Sequence, residues 1–235
     1  MDDKMAGQPN TQRQFERRDR YLRTILLLAE QSGLEIVTGG AIAKSLAVNP
    51  ATATAMIQAL AEAQLVVHLP HKGVYLTDSG ASIARAALRR QRLVESFLCK
   101  SLGIGWEEVE STAARIAEAV PDELVDRINQ YLDAPHFDPH GEIIYQPESA
   151  LPLKLSTLNQ IPLNARLRIC RIIDHNPNLL RHLSDLAITI GAVGQVVEHN
   201  IEGDLIVLEI VGHTAVALSR ALGSKILVCP HESPK

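Results

Sequence analysis

The chain has 235 residues, 46% hydrophobic and 21% charged, with a formal net charge of −4. That length suits two or three small domains, and the apolar content excludes a disordered chain. Apolar runs are short, none near the roughly 20 residues needed to span a bilayer. The start, MDDKMAGQPNTQRQ, lacks the apolar stretch of a secretory signal.

Cys99, Cys170 and Cys229 are odd in number, widely separated and without CxxC spacing, which argues against a disulfide framework and against a structural zinc site. A soluble, cytoplasmic protein is expected. Charge is uneven along the chain: residues 1–100 carry a balance of +4 and residues 101–235 one of −8. A basic nucleic-acid module fused to an acidic regulatory or dimer module has that pattern, and so does chance scatter.

Residues 1–11 are polar and are expected to be mobile. A helix is predicted over 12–31, with Tyr21, Leu22, Ile25, Leu26 and Leu28 as an apolar stripe and Arg13, Arg17, Arg18, Arg20 and Arg23 in its first half. Gly33 ends it. Ile36 and Val37 make a short extended link, and AIAKSLAV a two-turn helix. Asn49 can cap the next helix, with Pro50 at its first position, where no amide hydrogen is needed. Met56, Ile57 and Leu60 form its buried face.

Two short helices across a tight turn make a helix-turn-helix. The second is rich in small polar residues (Thr52, Thr54, Gln58) and free of acid until Glu62, as an element entering a major groove requires. LVVHLPHKGVYLT then reads as a β-hairpin turning at 70–73, which completes a winged helix. A winged helix used only for protein contacts shares this pattern.

A long helix is predicted over 77–102, further helices over 106–119 and 121–132, and APHFDPHGEIIYQPE marks a domain edge. Strands are expected at 167–173, 192–198, 205–211 and 225–229, with helical turns at 178–186 and 215–222: a small barrel. The fold class is mainly α with β. It comprises a winged helix-turn-helix domain (12–77), a helical dimerisation domain (78–141), a linker (142–152) and a C-terminal SH3-like β-barrel (153–230).

YLRTI, VNPATATAMIQALAEAQLV, GVYLTDSGASIA, RLVESFL, the 106–120 helix with its PDEL end, and DPHGEII occur in that order. Together they resemble the DtxR/MntR family of metal-dependent transcriptional repressors. RIIDHNPNLLRHLSDLAITIG resembles the FeoA-type SH3-like domain that ends its longer members.

The resemblance implies a homodimer that binds a palindromic operator in double-stranded DNA. It also implies Mn2+ or Fe2+ held between the dimer domain and the first helix. The family's ligand positions fall on Arg20, on Gln91 and Glu95, on Glu110, Ala114, Ala117 and Glu118, and near Asn176 and Leu179, so most are substituted.

Read without the family, Glu110, Ala114, Ala117 and Glu118 lie on one helical face, and Gln91 and Glu95 form a second i, i+4 pair. Gln91, Glu95 and Glu110 would make a weak oxygen site, to which His175 beside Asp174 can add. A bidentate Arg20–Glu118 salt bridge replacing the metal is one expectation; solvated side chains facing apart are the other. His68, His71, His136, His140, His175 and His182 form three loose pairs without metal-ligand spacing and read as surface or supporting groups.

No GxSxG, HExxH or glycine-rich phosphate loop is present, and no Cys has a plausible neighbouring His, so no enzymatic activity is expected. Aromatic content of 3% is poor for stacking single-stranded bases. The reading is a homodimeric, sequence-specific DNA-binding repressor with an altered or lost metal response. Its DNA contacts would come from Arg17, Arg18, Lys44, Asn49, Thr52, Ala53, Thr54, Gln58, His71 and Lys72. Two alternatives stand: a Mn/Fe-dependent repressor with a remodelled carboxylate site, and a protein-interaction module that no longer binds DNA.

Overall fold

The computed structural model describes residues 8–146 and 155–231. The chain divides into two compact units, residues 1–91 and 92–235. Most of the expected 142–152 linker, and residues 1–7 of the expected mobile start, lie outside the described residues.

In the first unit α1 (Gln8–Ser32) begins four residues earlier than predicted. Tyr21, Leu22, Ile25 and Leu26 are its buried stripe, at the spacing that puts apolar side chains on one helical face. Gly33, at φ +65°, ends it as a left-handed cap. α2 (Gly39–Ser45) is capped by the Thr38 hydroxyl, and α3 (Pro50–Glu62) by the Asn49 side chain. β1 (Val66–Leu69) and β2 (Gly73–Leu76) form the hairpin, with Leu69 opposite Gly73. Val37 exchanges both backbone hydrogen bonds with Val74, at 2.9 and 2.8 Å, so the short link becomes a third rung beside the wing. Gly73 makes this possible: a Cβ there would lie 2.4 Å from the Val37 carbonyl oxygen. Helix-turn-helix plus hairpin is the expected winged helix.

α4 (Asp78–Leu102) runs unbroken from the first unit into the second. In the second unit its C-terminal half packs with α5 (Trp106–Ala117) and α6 (Asp122–Tyr131) around Leu93, Val94, Leu98, Val109, Ala113, Val125 and Ile128.

A separate core fills the C-terminal domain, a six-stranded antiparallel sheet. Its strands are β3 (Ser156–Thr157), β4 (Arg166–Ile172), β5 (Val193–Asn200), β6 (Leu205–Ile210), β7 (Val216–Ser219) and β8 (Ile226–Pro230), in the order β3-β8-β4-β5-β6-β7. α7 (Pro177–Asp185) and α8 (Arg220–Gly223) complete it. Leu167, Ile169, Val196, Ile206, Leu208 and Val228 alternate inward at the two-residue period of half-buried strands.

The predicted 215–222 helical turn is a strand followed by one short turn of helix. The β-branched and Leu positions of VALS pair with β6, and this outweighs their helical appearance. β3 was too short to carry a periodic signal.

Candidate metal centre and DNA-binding face

The second unit buries charge where the sequence suggested a domain edge. Residues 135–146 fold back over the helices, and Phe137 bridges Ile143. His140 is 0% exposed, and Asp138 and Glu142 are buried with it. Burial overturns the surface half of the expectation for His140 and leaves the supporting half standing.

A buried loop must satisfy its polar groups internally. Asp138 Oδ1 does so by accepting from the His140 and Glu142 amides at 2.8 and 2.9 Å. Arg92, 4% exposed, reaches over from α4. It donates to the Ile143 carbonyl at 2.6 Å and to Glu142 Oε2 at 3.1 Å, and lies 3.8 Å from Asp138 Oδ2. From β4, Arg171 holds the other Glu142 oxygen at 2.6–2.8 Å.

Within this frame Glu95, Asp138 and His140 each offer a ligand atom, all within 4.8 Å of one another, and all three residues are buried. The tautomer of His140 follows from its partners. Its Nε2 lies 2.7 Å from the Trp106 carbonyl oxygen, which can only accept, so Nε2 carries the proton. The lone pair is then on Nδ1, which has no hydrogen-bond partner and sits 3.9 Å from Glu95 Oε2. A buried nitrogen lone pair facing two carboxylates fits a divalent first-row cation. The Trp106 carbonyl supplies the outer hydrogen bond that orients such a ligand.

Burial, then the nearby His175, pushes the His140 pKa down, against the pull of Asp138 and the Trp106 carbonyl. The imidazole is thus available as a neutral ligand. His175 stacks on His140 with ring centroids 4.2 Å apart. Burial opposes its charge, but the Glu110 hydrogen bond, 3.3 Å from Nδ1, and the charges of Glu110, Glu142 and Asp138 raise its pKa above the ordinary value.

Of the metal candidates read from the sequence, Glu95 joins the cluster, and Glu110 and His175 pair directly beside it. Gln91 belongs to the first unit, where its Oε1 accepts from Arg23 at 2.6 Å. Glu118 caps the end of α5 and is exposed, while Arg20 Nη2 donates to the Leu46 carbonyl at 3.3 Å. Asp138 and His140 were missed. The sequence signal was DPHG itself: two ligand types two residues apart, before a glycine at φ +84°.

On the first unit, Thr52, Thr54 and Gln58 are exposed along α3, and Lys44, His71, Lys72 and Arg17 are exposed around it. The Asn49 side chain accepts from the Ala51 amide at 2.8 Å, so it serves the helix cap. Thr54 donates to the Pro50 carbonyl, and Arg18 pairs with Asp19 at 2.8 Å. Ala53 is corrected: at 1% exposure it faces the core with Ile57 and Leu60 and cannot reach a duplex. A small residue at an i, i+4, i+7 position is read by its periodicity before its size.

Among the described residues no helix is long and apolar enough to cross a membrane. Residues 15–74 match the family described as the iron dependent repressor N-terminal DNA binding domain. Residues 77–146 match its metal binding and dimerisation domain, and residues 156–230 the FeoA domain. The transcriptional regulator MntR of Bacillus subtilis is 30% identical over 108 residues, 46% of this chain and 74% of that protein. The iron-dependent repressor IdeR of Mycobacterium leprae is 26% identical over 221 residues, 88% of this chain and 94% of that one. A solved manganese-dependent transcriptional repressor in complex with manganese superposes with a TM-score of 0.80 at 30% identity, covering 91% of this chain and 99% of that one. The chain belongs to the DtxR/MntR family of iron-dependent repressors with a C-terminal FeoA domain, a family of DNA-binding transcriptional regulators and not of enzymes.

Proposed function

We propose that the protein is a homodimeric repressor whose binding to a palindromic operator responds to a divalent first-row cation, Mn2+ or Fe2+, held by Glu95, Asp138 and His140. The observation that carries this reading is the buried His140 Nδ1, left without a hydrogen-bond partner and aimed at two carboxylates. A bound cation supplies the positive charge that lets these acids converge out of water. Glu95 then ties α4 to the 138–142 loop, and α4 is the one helix continuous with the winged-helix unit. On the DNA side, Thr52, Thr54 and Gln58 face base edges. Arg17, Lys44 and Lys72 neutralise phosphates, His71 meets one beside Lys72, and Arg18 neutralises another if it exchanges Asp19 for a phosphate.

The metal response is altered relative to the family pattern. Arg20, Ala114 and Ala117 stand at ligand positions and offer no ligand atom, and the Arg20 guanidinium can bridge to Glu118 instead.

The deciding experiment is fluorescence anisotropy with an operator from the gene's own upstream region, in chelator and then with Mn2+ or Fe2+. Metal should tighten binding in the native chain and have no effect in His140→Ala or Glu95→Gln. Tight binding that ignores metal overturns the cluster's role. In that case an Arg20→Ala variant that loses affinity would identify the salt bridge as the permanent tie, and unchanged affinity would remove that idea too.

A further inference from the structure

Cys170 and Cys229, 59 residues apart in sequence, meet on neighbouring strands with their sulfurs 2.6 Å apart. The ladder between β4 and β8 pairs Arg168 with Cys229 and Ile169 with Val228, then slips so that Arg171 faces Leu227. Cys170 is the extra residue of this β-bulge. In a regular antiparallel ladder it would be a diagonal neighbour of Cys229, about 7–8 Å away between Cα atoms. The added twist of a bulge brings such a pair together. Leu167, Ile169, Ile226 and Val228 occupy the core face of the two strands, so the thiols lie on the other face, half-buried and within reach of a small molecule. Their sulfurs are only about 0.5 Å beyond the roughly 2.05 Å of an S–S bond.

The same bulge backs the buried loop of the candidate metal centre. A Cβ on Gly141 would lie 1.9 Å from the Cys170 carbonyl oxygen and 2.7 Å from Arg171 Cα. The Ile172 amide donates to the His140 carbonyl at 3.0 Å, and Arg171 grips Glu142. Three consecutive residues of β4 thus hold residues 140–142.

We propose that Cys170 and Cys229 form a redox site that closes to a disulfide on reaction with a hydroperoxide, stiffening the strand segment that holds the 138–142 loop. The Cys229 sulfur attacks the peroxide, the O–O bond breaks and an alcohol or water leaves, giving a sulfenic acid. The Cys170 sulfur displaces that hydroxyl, the S–S bond forms, and a second water leaves with the Cys170 proton. Two thiols lose two electrons and the peroxide gains them. Burial, then the hydrogen bond with Cys229, pushes the Cys170 thiol up to about 12. It therefore stays protonated at neutral pH and acts second. The pairing is independent of whether the cluster takes a metal.

The test uses the full chain in chelator, treated with stoichiometric hydrogen peroxide, quenched, then unfolded with a thiol-alkylating reagent and weighed intact. Of the three cysteines, only Cys99 should be labelled after peroxide, and all should be labelled without it. Cys229→Ser should keep both remaining thiols labelled after the same treatment. Cys170→Ser should instead lose the Cys229 label and carry added oxygen there, because its sulfenic acid has no partner thiol to displace the hydroxyl. Full labelling of the treated native chain, oxygen added to that chain in place of the loss of two hydrogens, or protection of Cys170 in Cys229→Ser overturns the pairing. Hydrogen exchange of the 138–144 peptide should slow about threefold or more in the oxidised form, and equal exchange in both forms overturns the link to the loop. Neither readout uses metal, so each stands or fails separately from the metal-response experiment.

Discussion

Removal of Arg92 tests whether the buried charge network holds the metal loop. The side chain is 5% exposed and faces two acids, Asp138 at 3.8 Å and Glu142 at 3.1 Å, besides the Ile143 carbonyl at 2.6 Å. In Arg92→Ala the hydrogen bond to a charged partner is lost, worth about 1.5–3 kcal/mol, and a buried carbonyl loses its donor at about 1–3 kcal/mol. Breaking a buried ion pair by removing one partner costs about 3–5 kcal/mol in general. Here the lower end applies, because Glu142 keeps Arg171 and Asp138 keeps two backbone amides.

A loss of about 3 kcal/mol is expected, or about 6–12 °C in Tm at about 2–4 °C per kcal/mol for a unit of this size. Trp106, the sole tryptophan, lies in the same unit and stacks on His140 at 6.0 Å, so urea unfolding followed by its fluorescence reads the right region. Arg92→Lys, which keeps the charge but cannot span three acceptors, should lose about half as much. A loss below about 1 kcal/mol in Arg92→Ala, or equal losses in both variants, would refute the account.

Other outcomes follow from the same geometry. Gly141→Ala should unseat the loop. The added Cβ meets the Cys170 carbonyl oxygen at 1.9 Å, and φ +84° disfavours an L side chain, so a loss of at least about 2–3 kcal/mol is expected in the same urea assay.

In the metal-free protein, the joint contribution of His140 and His175 to stability should be greatest near pH 6.5, the ordinary histidine value. The depressed His140 pKa gives stability that is present above the unfolded pKa and is lost as pH falls through the folded one. The raised His175 pKa gives stability that is full below the unfolded pKa and is lost as pH rises through the folded one. The fall of Tm just below pH 6.5 should therefore shrink in His140→Ala and the fall just above it in His175→Ala; unchanged slopes in both would contradict the stacked-pair account. For DNA, Lys44→Ala and Lys72→Ala should each weaken operator binding across sequences and lower the salt slope by about one. An unchanged slope would show that neither lysine meets a phosphate.

The winged helix, the long helix and four of the six strands of the C-terminal domain (β4, β5, β6 and β8) were legible in the chain because their signals are local. Asn49–Pro50 writes a helix start, alternation in RLRICRI writes a strand, and the turn at Pro70–Gly73 writes a hairpin. The order of motifs named the family, Glu95 and Glu110 were within reach of a periodic reading, and His175 of its place beside Asp174.

The metal centre was not. Its ligands come from α4 and from a loop some 40 residues later in the numbering, Glu95 against Asp138 and His140. DPHGE resembles a solvent-facing turn until Arg92 and Arg171, from two other elements, neutralise it. Burial of charge is a property of the company a residue keeps, and sequence spacing carries none of that. Ala53 turned inward and Cys170 met Cys229 for the same reason. Helical phase against the core decided the first, and a one-residue slip between two strands the second.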